Sequence, residues 1–84
     1  YYMSVEYYRK QIIDLRARLE KEKEGKKKDN AHYAALIKGT SSASSKATYK
    51  KNKIDKAASH DRAIENLKKQ IESAKANLAK AKKK

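Results

Sequence analysis

The stretch KGTSSASSKAT, Lys38–Thr48, decides how this chain is read. It holds one of the two glycines and four of the seven serines in an 84-residue sequence otherwise dominated by charged and aliphatic helix formers. Serine-rich segments serve as flexible linkers, and they also cap and turn helices. The choice between a linker and the corner of one folded object rests on whether the flanking sequences match each other.

They do match. Before the stretch, Val5, Tyr8, Ile12, Leu15 and Leu19 recur at gaps of three and four, the spacing of one helical face. Carried forward, that register passes through Glu22, Lys26 and Asp29 and becomes apolar again at Tyr33 and Leu36. After the stretch, Ile64, Leu67, Ile71, Ala74, Leu78 and Ala81 repeat the spacing, and the backward register reads His60, Ala57, Lys53 and Lys50. In an antiparallel pair, facing residues have position numbers with a nearly constant sum. Leu19 with Ile64, Leu15 with Leu67, Ile12 with Ile71, Tyr8 with Ala74, Val5 with Leu78 and Leu36 with Ala47 all sum to 82 or 83, which centres the fold-back on Ser41 and Ser42. The same register sets Glu22 near His60 and Asp29 near Lys53. The expected fold is therefore all-α: an antiparallel two-helix coiled-coil hairpin forming a single domain. Helix 1 runs over about 4–38, a turn over 39–44 and helix 2 over about 45–82.

Turn chemistry supports the corner. Gly39 is suited to the left-handed conformation that often ends a helix. Lys38 suits the negative helix terminus. Thr40, Ser41, Ser42, Ser44 and Ser45 are all able to cap helix 2, with the start expected near Ser44. Gly25, inside KEKEGKKKDN, costs about 1 kcal/mol relative to alanine in a helix, so a break or fraying is expected there. Tyr1 and Tyr2 precede Met3, which reads as a natural start, and no stop signal follows AKKK. These features fit the N-terminal part of a longer chain.

Composition limits the chemistry. With one valine, six isoleucines and five leucines, a compact core is not expected, and the seam is thin. Cysteine is absent, so no disulfide or thiolate metal site forms. No signal peptide or membrane span is written in the sequence, and the expected location is cytoplasmic. His32 and His60 fall far apart along the hairpin, so they do not form a metal or catalytic pair. The glycines are isolated, and the corner serines have no neighbouring base. No catalytic residue, cofactor or metal site is expected, and the chain is not read as an enzyme.

Two features point to partners. Tyr1, Tyr2, Tyr7 and Tyr8 gather at the open end, where they either cover the seam or present a patch to a second copy. Tyr33 and Tyr49 are expected to plug the closed end. The net charge of +13 is carried by nineteen lysines and four arginines against ten acids. Lys26, Lys27, Lys28, Lys50 and Lys51 cluster toward the corner. Such a face is ordinarily solvated, and it also permits nonspecific, salt-dependent binding of nucleic acid or another polyanion.

The stretches MSVEYYRKQIIDL and LIKGTSSASSKATYKKNKI resemble the N-terminal helical region of bacterial immunity proteins that carry a TIR domain. That region has a Met-Ser-Xaa-Xaa-Tyr-Tyr-like start, here Met3 to Tyr8. It then has a Thr/Ser-rich corner, here Thr40, Ser41, Ser42, Ala43, Ser44, Ser45, Lys46, Ala47 and Thr48. The resemblance implies a non-catalytic coiled-coil module that self-associates and so assembles or localises a C-terminal effector. TIR effectors cleave NAD when brought together, and no such domain lies within these residues. In architecture the chain also resembles the small helical hairpins of type VII secretion, although their Trp-Xaa-Gly turn is missing and this chain is basic.

Overall fold

The computed structural model describes residues 4–83. It contains two helices, α1 (Val5–Gly39) and α2 (Ala43–Lys82), folded back on each other as a hairpin. The Cα envelope measures 64 × 17 × 14 Å, the dimensions of two long helices lying side by side. Its radius of gyration is 18.9 Å. A compact globule of this length would have about 12 Å. The shape follows from composition: narrow apolar stripes can be buried only by zipping one helix along the other.

Local sequence sets both helix starts. Ser4 caps α1, its Oγ accepting from the Tyr7 N–H at 3.1 Å, and Glu6 lies in the positive first turn. Ser42 caps α2, its Oγ accepting from the Ser45 N–H at 3.3 Å while its carbonyl accepts from the Lys46 N–H at 3.0 Å. The second helix therefore begins at Ala43, two residues before the expected start. Among the available serines, Ser42 has extended backbone angles (φ −77°, ψ 122°), and its hydroxyl is placed over the first turn.

The corner itself differs from expectation at Gly39. That glycine has no positive φ and belongs to α1. The chain leaves the helix through Thr40, whose extended backbone (φ −106°, ψ 142°) makes the change of direction. Thr40 Oγ1 then accepts from the Ser42 N–H at 3.2 Å. A hydroxyl-based turn thus replaces the left-handed glycine cap. A Cβ added at Gly39 would meet nothing within 4 Å, so neither conformation nor space requires glycine there.

The seam packs as one thin layer. Ile12, Leu15, Ile71 and Ala74 are buried, with Leu19, Leu67 and Leu78 packed against them. Val5, Tyr8, Tyr33, Leu36 and Ile64 are half-buried along the same line. Toward the closed end the register slips. Tyr49 is half-buried where Lys50 was expected, and both Lys50 and Ala47 face solvent, so Leu36 does not meet Ala47 as a buried pair. The short Thr40–Ser42 turn and the larger apolar surface of the Tyr49 ring account for the shift. Tyr1 and Tyr2 lie outside the described residues. Tyr7 is exposed and meets the Tyr8 ring edge-on, with centroids 5.3 Å apart.

Candidate functional site: a histidine clasp in the polar middle of the rod

Between the aliphatic layer and the corner, the seam carries charge. His60 projects from α2 toward α1 between two carboxylates that lie on one face of α1, about two turns apart. Its Nδ1 lies 2.5 Å from Glu22 Oε1, and its Nε2 lies 2.7 Å from Asp29 Oδ2. Beside the ring, Lys26 Nζ donates to Asp61 Oδ1 at 2.6 Å. The Glu22–His60 proximity is the one the antiparallel register sets. Asp29 was expected near Lys53, yet it reaches His60 instead, because the ring fills the gap between residues 22 and 29 and presents its far nitrogen to Asp29.

Gly25 makes that gap. It lies between Glu22 and Asp29 on the same face, and a Cβ built on it would stand 3.1 Å from His60 Cε1. The expected break does not occur, since α1 is continuous from Val5 to Gly39. The sequence signal was present, a lone glycine three residues after one acid and four before another. It could not be interpreted without knowing that an imidazole arrives opposite.

The clasp favours a charged ring. A neutral imidazole has a single N–H and can donate to only one carboxylate, whereas imidazolium donates to both. The hydrogen bond to Asp29 and then that to Glu22 raise the His60 pKa above 6.5; desolvation opposes them, and the negative charge of the two carboxylates adds a lesser upward push. The ring is 20% exposed, and the adjacent Lys26–Asp61 pair places one charge of each sign beside it. The two carboxylates occupy opposite sides of the ring and do not converge on a point, so the cluster acts as a cross-brace rather than as a metal ligand set or catalytic pair.

The candidate polyanion contacts are divided by the fold. Lys27, Lys28, Lys50 and Lys51 are exposed, but Lys26 is engaged with Asp61. Ile13, Ile37 and Ile54 fall outside the seam register. Ile13 and Ile54 are 65% and 68% exposed, and Ile37 lines a groove near the corner. Among the described residues, no helix is long and apolar enough to cross a membrane. Comparison with protein-family models, curated proteins and solved structures finds no match to this chain.

Two predictions follow from the clasp. Because the folded-state pKa of His60 is raised above 6.5, its contribution to stability is complete below pH 6.5 and is lost as pH rises through the folded value. Urea midpoints should therefore fall between mildly acidic and mildly alkaline pH in the native chain. They should change much less in His60→Gln. A native-state His60 pKa at or below 6.5 by NMR titration is the contrary result. The second prediction concerns Gly25→Ala. Relief of the helix penalty would ordinarily add about 1 kcal/mol. Here the new methyl crowds a ring pinned from both sides, so the gain should be reduced or reversed. It should reappear in a His60→Ala background, and equal effects in both backgrounds would separate Gly25 from His60.

Proposed function

We propose that this chain is a non-catalytic interaction module that self-associates in the cytoplasm and thereby assembles or localises an effector domain. The observation carrying this reading is the thinness of the core. Only four side chains among the described residues are buried, over helices of 35 and 40 residues. A single narrow core of this kind contributes only a few kcal/mol. A second hairpin packed on the Ile13 side of the open half would cover that exposed side chain and convert a two-stranded rod into a four-helix bundle. The resemblance of the Met3–Tyr8 start and the Thr40–Thr48 corner to TIR-domain immunity proteins supports a TIR-type effector as the cargo. The bent-hairpin architecture alone supports the type VII secretion reading, which lacks a supporting turn motif.

Light scattering and circular dichroism on three variants test self-association. Ile12→Asp and Leu67→Asp should abolish both helicity and association, because each puts a charge into the seam. Ile13→Asp should retain helicity and lower the mass, because Ile13 is exposed in the lone hairpin. A native chain that is monomeric at all concentrations, or an Ile13→Asp variant of unchanged mass, argues against the proposed bundle.

A second reading, polyanion binding, is favoured by the exposure of Lys27, Lys28, Lys50 and Lys51 on a chain of net charge +13. It predicts retention of DNA or RNA that weakens steeply over about 50–200 mM salt, with each phosphate contact adding about 0.9 to the log–log slope. Reversing these four charges together with Lys26 should remove retention and leave the helices formed. Retention that is unchanged by the five reversals would exclude this surface.

A further inference from the structure

The corner half of the rod carries a feature that neither the seam nor the clasp explains. An open groove of about 780 Å³ lies near the closed end. It is lined by Ala34, Ala35, Ile37 and Lys38 from α1 and by Lys50, Lys53 and Ile54 from α2. Ile54 is the most exposed large apolar residue among those described, at 68%. The two alanines leave the backbone of α1 accessible to close approach. No acidic residue lines the groove, and three lysines do.

We infer that this groove is a docking site for an acidic amphipathic helix from a partner protein, which would lie as a third helix against the closed end. Its apolar face would rest on the Ala34–Ala35 floor and against Ile37 and Ile54, and its flanking carboxylates would meet Lys38, Lys50 and Lys53. Charge complementarity selects this occupant. Residues 26–60 hold nine lysines and two aspartates, a formal balance of +7 (nine minus two). A second copy of this end would set lysine against lysine, so self-association is disfavoured here and belongs at the open half. A bilayer surface is also a poor match, since the groove offers two isoleucines and two alanines rather than a broad apolar face. Being an open trough, the groove suits an elongated segment better than an enclosed small molecule. This inference is independent of the self-association reading, because it concerns the other end of the rod.

Fluorescence anisotropy with three labelled peptides of about five helical turns each tests the groove. The first is an amphipathic Leu/Ala/Glu helix. The second has the same composition scrambled so that no apolar face forms. The third is the amphipathic helix with lysine in place of glutamate. The first should bind, and the other two should bind at least about tenfold more weakly. Ile54→Glu and the Lys50→Glu/Lys53→Glu pair should each weaken the first peptide by a similar factor, with unchanged circular dichroism. NMR shift changes on the native chain should centre on residues 34–38 and 50–54, which keeps the test valid should a variant lose its fold. Equal binding of the scrambled peptide would reduce the effect to bulk charge and overturn the proposal. So would undiminished binding to Ile54→Glu. Capture by phosphatidylglycerol-containing vesicles without peptide binding would assign the groove to a lipid surface instead.

Discussion

The apolar layer formed by Ile12 and Leu15 against Ile71 and Ala74 is the constraint on which the rest of the molecule depends. Neither helix has a second apolar stripe running along its length; outside the seam, apolar side chains such as Ile13 and Ile54 form only small patches among charges. Isolated helices of this composition gain little from propensity alone, and most of their stability comes from burying a stripe on a neighbour. The stripe is narrow, so the antiparallel pair is the smallest arrangement that buries it. Leu19, Leu67 and Leu78 extend the layer by about one turn in either direction. Beyond that the seam becomes polar or half-open.

The polar middle complements this layer by restricting register. An aliphatic zipper tolerates a shift by one repeat, because leucine and isoleucine can exchange partners with modest loss. The His60 ring cannot shift in this way. It meets Glu22 and Asp29 at two levels of α1, and a Cβ at the residue between them would crowd it at 3.1 Å. Polar groups in a helical seam are best known for specifying pairing at some cost in stability. Glycine in the middle of a helix, unfavourable in isolation, becomes the residue that admits the brace. Lys26 and Asp61 add a second cross-link at the same level with ordinary opposite charges.

The two ends of the rod are consequently different objects. The open half holds the aliphatic layer and leaves Ile13 and Tyr7 exposed. The closed half is strongly basic and carries the groove beside Ile54. Separation of these surfaces along a 64 Å axis would let one rod join a like partner at one end and an acidic one at the other. Such a division would suit the interaction role proposed above.

Much of the fold was legible in the residues alone. The three-four spacing from Val5 to Leu19 and from Ile64 to Leu78, with the serine cluster midway, determined two helices and their antiparallel pairing. Those features are local or depend only on periodicity. Tertiary structure decided what periodicity leaves open: Ser42 rather than Ser44 as the cap, an extended Thr40 rather than a left-handed Gly39, and the slip of register at the closed end that leaves Lys50 and Ala47 in solvent. It also turned Gly25 from an apparent flaw into the seat of an imidazole and assigned Asp29 to His60 rather than to Lys53. The physical reason is common to all of these. Each depends on which side chain arrives from the opposite helix and how much room it finds, and that is settled only when the two stripes are brought together.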